Sequence, residues 1–211
     1  MADNKSTCIV QAKRKICAGS FFLIAFAQLY YFTTIAEGLY PNYSMRTNFI
    51  SDLGVRPESA ILWGSSMFVA GILVIAGSLF ILSEQWKKIE IYTVISFFFT
   101  GIGLVGVAIF NENAFHTIHI IFALVAFVFG GISAILYSIS MRGSFKYISL
   151  VLGGITIVGI LLLAIASLIP AIDQIIISIG EGFLERTIAF PMGIWFVALG
   201  AHIIGSTDSI F

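Results

Sequence analysis

Glu112, His116 and His119 stand close together in Asn111-Glu-Asn-Ala-Phe-His-Thr-Ile-His119, directly ahead of an apolar run. On a helix, His116 and His119 share a face, and Glu112 one turn earlier can join their stripe. Two neutral imidazoles and a carboxylate suit a divalent metal such as zinc. A catalytic site would need one more firm ligand, from Asp52, Glu181 or Glu185 in another part of the chain. The same residues also have a purely structural reading. They would hydrogen-bond loops and end helices, with Glu112 placed where the helix macrodipole favours a negative charge. Two histidines three apart beside an acid are common by chance, so spacing alone favours the structural reading.

Two further patches carry polar chemistry. The first is Asn48-Phe-Ile-Ser51-Asp52-Leu-Gly54, followed by Pro57-Glu58-Ser59. The second is Glu181-Gly-Phe-Leu-Glu185-Arg186. Arg186 needs a partner, and Asp52 or Glu181 would tie the first and last loops together. Its planar fork also suits a phosphate or carboxylate headgroup. His202 is the one ionisable residue well inside an apolar segment, which by default marks function. It also lies near a segment end, where a backbone carbonyl or water would satisfy it.

These residues must be positioned by membrane helices. The chain has 211 residues, of which 59% are hydrophobic and only 10% charged. Its mean hydropathy is +1.03. So few charges cannot cover a soluble domain, and lipid must serve as solvent. Six apolar windows are long enough to span: about 16–39, 60–83, 91–110, 115–140, 147–169 and 187–206. They leave only short tails, 1–15 and 207–211. The expected fold is therefore all-α, a polytopic membrane protein with six transmembrane helices in one bundle. The net charge is zero, so nothing points to nucleic acid.

Orientation follows from the cations. In this topology Lys5, Lys13, Arg14, Lys15, Lys87, Lys88, Arg142 and Lys146 share one side. Only Arg46, Arg56 and Arg186 lie on the other. The positive-inside rule then places both termini in the cytoplasm of a cell-membrane protein. All three polar patches fall on the outer face. So does the sequon at Asn42, which makes glycosylation possible there. Cys8 and Cys17 fall on the reducing side, where a structural disulfide is not expected.

Gly101-Ile-Gly103-Leu-Val-Gly106 matches a dinucleotide-binding pattern, but that pattern works only between a strand and a soluble helix. Inside a span, glycines let neighbouring helices approach closely. Trp63 and Trp86 fit interface anchors, and Trp195, deeper in its span, fits a bundle-facing position. The acid-flanked apolar piece around Ile175–Ile177 is too short to cross and fits a re-entrant or interfacial segment.

The stretches "NFISDLG", "FNENAFHTIHIIFALVAF" and "GFLERTIAFPMGIW" resemble the DUF998 family of small multi-pass membrane proteins, over about Tyr40 to Gly205. Asn48, Ser51, Asp52, Gly54, Glu112, His116, Glu185, Arg186 and Trp195 fall at family-like positions. "ISDLGVRPES" is more loosely similar to the ISDTG-x-PPES stretch of the Frag1/DRAM/Sfk1 membrane family, with Leu53 in place of Thr and a single Pro57 after Arg56. The resemblance implies a fold and an outer polar cluster, and an association with membrane lipids, but no reaction.

Three functions are then open. The outer cluster (Asn48, Ser51, Asp52, Glu112, His116, His119, Glu181, Glu185, Arg186) binds a lipid headgroup or small amphiphile, or the chain serves a larger membrane assembly or homo-oligomer. Alternatively it is a metal-dependent lipid hydrolase at the outer leaflet, with Glu112, His116 and His119 as ligands. A haem-bearing electron-transfer subunit is the third. Yet His202 lies about 16 residues down its span, roughly 24 Å at 1.5 Å per residue, from the level of His119. Those two histidines cannot share an iron.

Overall fold

The computed structural model describes residues 2–82 and 88–207. Trp86 and Lys87 lie outside the described residues. Seven α-helices appear among those described: α1 Ala2–Leu39, α2 Pro57–Ile81, α3 Lys88–Ile109, α4 Glu112–Ser140, α5 Phe145–Ala166, α6 Pro170–Ile179 and α7 Glu181–Gly205. All but α6 are long and apolar enough to cross a bilayer. The protein is a multi-pass membrane protein with six such spans.

The six spans pack as a ring. Each spanning helix lies beside the next in chain order from α1 to α5, and α7 closes the circle between α5 and α1. The start of α1 and the end of α7 therefore lie at one end of the bundle, here the terminal end. The connections α1–α2, α3–α4 and α5–α7 lie at the other, the lip.

Small residues set the helix spacing. A Cβ built on Gly71 of α2 would sit 2.8 Å from the Gly101 carbonyl oxygen of α3, and the converse distance is also 2.8 Å. The two backbones touch directly, which lipid-embedded helices exploit because they gain no hydrophobic drive against one another. Gly103 and Gly106 face Ala126 and Phe122 of α4 in the same way. The glycine pattern of α3 thus serves packing.

Polar side chains add hydrogen bonds between spans. Gln28 Nε2 of α1 donates to the Ser66 carbonyl of α2 at 2.9 Å. Trp195 of α7 is fully buried and donates from Nε1 to Ser149 Oγ of α5 at 2.9 Å. Thr156 of α5 donates to the Ile188 carbonyl of α7 at 3.2 Å. At mid-depth Phe22, Phe26, Phe97, Trp195 and Phe196 form an aromatic layer, with Phe26 and Phe196 stacked at 4.8 Å between centroids.

The element boundaries differ from the expected windows in two useful ways. The last span begins at Glu181, so Glu185 and Arg186 stand on a helix and not on a loop. The piece around Ile175–Ile177 is a separate short helix, α6, started by Pro170 and with no buried residue. Pro suits a first helical position because its missing N–H would have no partner there anyway. Gly180 has φ of 128°, a conformation that favours glycine, and it lets the chain turn from α6 into α7.

Candidate functional site

The lip is organised by residues 40–56, which join α1 to α2 and contain one 3₁₀ turn, Ser51–Gly54. Asp52 shapes this connection locally. Its Oδ2 accepts from Asn48 Nδ2 at 2.9 Å and from the Phe49 N–H at 3.1 Å. Asn48 Oδ1 in turn accepts from the Ser44 N–H at 3.1 Å. These are the short-range side chain–backbone bonds by which Asn and Asp hold turns.

The connection is then fastened to three spans. Arg186 of α7, only 7% exposed, donates to Glu37 Oε1 of α1 at 2.7 Å. It also donates to the carbonyls of Met45 and Asn48, each at 3.1 Å, to the Gly182 carbonyl at 2.9 Å, and to the Tyr43 hydroxyl. The neighbouring Glu185 accepts from the Ile50 N–H. Ser51 Oγ donates to Glu112 Oε2 of α4 at 2.7 Å. Arg46 reaches the other way, to the Ile179 carbonyl at 3.2 Å, where a cation suits the C-terminus of α6.

Tyr43 sits inside this knot and donates to the Phe49 carbonyl at 3.0 Å. Burial pushes its hydroxyl up to about 12, against a smaller lowering by its bond to Arg186 and that cation's charge.

The three sequence patches therefore meet, but in an unexpected pairing. Glu37 takes Arg186, not Asp52 or Glu181. Asp52 is spent on its own turn. Glu37 carried a signal that the patches obscured: it is the one acid within the first span's long apolar helix, and an acid at such a place asks for a cation.

Glu112, His116 and His119 do not form a single stripe. Asn111 caps α4 by accepting from the Ala114 N–H at 2.8 Å, and Phe115 then departs from helical geometry with φ of −137° and ψ of 47°. This kink re-aims the first turn. The His116 side chain is 66% exposed, 3.8 Å from Glu112. His119 is buried at 4% exposure, and its Nδ1 lies 2.8 Å from the Phe110 carbonyl. Among the described residues, no group of three or more His, Cys, Asp or Glu side chains is arranged to hold a metal ion. His116 is exposed while His119 is buried, so the two imidazoles do not face one space and the set is not arranged as a zinc site.

Beneath the connection, the ring encloses a chamber of about 60 Å³. Its walls are mostly apolar, with Phe26 and Met67 among them, and six polar residues reach it: Tyr30, Thr33, Ser51, Trp63, His119 and Glu185. Trp63 is 3% exposed, and its Nε1 is buried without a hydrogen-bond partner. Trp63 is thus a chamber residue and not an interface anchor. With Nδ1 of His119 facing a carbonyl, that nitrogen carries the proton, which leaves Nε2 as an acceptor.

The DUF998 family profile, described as a protein of unknown function, matches residues 23–202. The chain belongs to the DUF998 family. The match covers all six spans in part or whole, so α1–α7 as a ring is the DUF998 portion of this chain. No curated protein and no solved structure matches the sequence.

Proposed function

We propose that this DUF998 protein binds the polar end of a small amphiphile in the lip chamber. One observation carries the reading: the buried indole N–H of Trp63, a residue of the chamber wall, has no acceptor among the described residues. A buried donor without a partner costs about 1–3 kcal/mol, which a ligand acceptor recovers. Glu185 and the His119 Nε2 offer acceptors on the same wall. A hydroxyl group matches both, since it accepts from the indole and donates to the carboxylate or imidazole. The ligand class is therefore a hydroxyl-bearing amphiphile such as a lipid headgroup, its apolar part against the Phe and Met wall. Arg186 and Asp52 instead hold the connection above this chamber.

The lip is proposed to face away from the cytoplasm, because the terminal end carries most of the lysines and arginines. An impermeant maleimide tests this: in intact cells it should label Asn42→Cys and not the native Cys8. Labelling of Cys8 alone would reverse the orientation.

Trp63→Phe tests the binding itself. It removes the N–H and keeps an aromatic ring. Mass spectrometry of lipid retained through purification should show a hydroxylated amphiphile on the wild type, lost by about tenfold or more in the variant. Equal retention by both proteins, or no retained amphiphile on the wild type, sinks the proposal.

A further inference from the structure

The opposite end of the bundle holds a second, larger cavity. Its volume is about 320 Å³. Phe97, from the mid-depth aromatic layer, forms its floor, so the layer separates it from the lip chamber. Its polar wall is supplied by Lys15 of α1, Glu90 and Thr93 of α3, Tyr137 and Ser140 of α4, His202 of α7 and Ser206 just after it.

Three donors on this wall are uncommitted. Among the described residues, Lys15 forms no ion pair, and neither the Tyr137 hydroxyl nor the His202 ring forms a hydrogen bond. His202 is nevertheless held in place, stacked on Phe145 at 4.4 Å between centroids and 11° between planes. Tyr137 packs edge-on to Phe145 at 5.8 Å, so the aromatic ring of α5's first residue orients both. Thr93 and Ser140 spend their protons on the Ile89 and Tyr137 carbonyls. Glu90 is already engaged within the protein. Nearby Arg14 is also committed, donating to the Leu82 carbonyl at 3.0 Å.

We propose that this cavity is an anion site that receives a phosphate group, with Lys15, the Tyr137 hydroxyl and His202 as donors. Three donors from three different spans line one space, and none of the three has an acceptor among the described residues. That arrangement matches an oxyanion with several acceptor oxygens, and charge-assisted bonds to such a group are the strong ones. Arg142 and Lys146, at the same end, attract anions to it. A lipid headgroup in the adjoining leaflet and a free phosphate present the same chemistry to the site. The site is independent of the lip chamber, and its ligand is charged where the chamber's is not.

Thermal unfolding of the detergent-solubilised protein, titrated separately with inorganic phosphate, short-chain phosphatidylglycerol and the diacylglycerol of equal chain length, tests the assignment. Phosphate or phosphatidylglycerol should raise the unfolding temperature, and diacylglycerol should not. Protection by phosphatidylglycerol alone identifies the lipid as the source; protection by inorganic phosphate identifies the free anion as sufficient. The Lys15→Gln/His202→Gln variant should need at least about tenfold more ligand for the same protection. Lys13→Gln, a charge removed outside the cavity, should titrate as the wild type does. If the double variant does not fold, Tyr137→Phe, which keeps the packed ring, should show the weakened titration. The proposal is overturned if diacylglycerol protects equally, if neither phosphate compound protects, or if Lys13→Gln weakens binding as much as the cavity variants.

Discussion

The two ends of the ring are built on opposite plans. At the lip, side chains from α1, α4 and α7 converge on one connection and spend their hydrogen-bonding capacity on it. At the terminal end, polar side chains from several helices surround a space and leave donors unspent. The lip has the smaller chamber, about 60 Å³ against about 320 Å³. The difference teaches where to look for structure and where for ligand chemistry. A charged residue that satisfies five acceptors, as Arg186 does, is a fastening; a lysine facing a cavity without an ion-pair partner is available.

That contrast is open to attack, and the largest expected effect comes at Arg186. Arg186→Met keeps the apolar stem and removes the fork, leaving Glu37 buried without its cation. Loss of one partner from a buried pair costs about 3–5 kcal/mol, so thermal unfolding in detergent should drop more for this variant than for any at the terminal end. Should Lys15→Gln destabilise as strongly, the terminal end would be clamped too and the contrast would fail. Gly182→Ala comes next. An added Cβ would collide with the Asn48 and Met45 carbonyls, and the connection must move off α7. About 1–3 kcal/mol is expected in the same assay.

Ser149→Ala probes the deep bond that joins α5 to α7 in the terminal half. It strands the Trp195 indole N–H, at a cost of about 1–3 kcal/mol. Its lip counterpart is Tyr43. Because the folded hydroxyl titrates at about 12 and the free one near 10, the folded state holds its proton more tightly. Tyr43's contribution is therefore complete below about pH 10 and lost as pH rises toward 12. A Tyr43→Phe variant should show a shallower fall in stability across that window; an unchanged slope would place the alkaline sensitivity elsewhere. The smallest effect belongs to His116→Ala, whose side chain is largely exposed, and it should stay within about 0.5 kcal/mol. A larger change would mean that His116 has a partner at the lip.

Much of this was legible in the chain, for identifiable reasons. Span number follows from hydropathy because lipid demands long uninterrupted apolar helices. The packing role of Gly101, Gly103 and Gly106 follows from the same solvent argument, and Trp195 faces the bundle as its depth implied. The meeting of the three polar patches follows from alternation of the spans. What spacing did not reveal was pairing. Arg186 has several acids within reach, and which of them wins depends on where α1 ends and how residues 40–56 fold back. His116 and His119 are three apart, but one non-helical residue, Phe115, puts one outside and one inside. Trp63 lies near a span end in sequence, yet the connection folds over it and turns an interface position into an interior one. Its contact with Gly54, where an added Cβ would come within 2.8 Å of the indole, shows how closely that cover sits.

Closure of the ring by α7 has a consequence for biogenesis. Glu37 and Arg186 are 149 positions apart, and of the six spans theirs are the first and last to leave the ribosome. Until α7 is made, the five earlier spans lack the wall that closes the ring, and Glu37 lacks its cation. Arrival of the last span supplies the guanidinium, the Glu185 carboxylate and the missing wall in a single event. Docking of the last span and closure of the ring are thereby one event, and a product truncated before Arg186 would expose to membrane quality control an acid that its guanidinium otherwise neutralises.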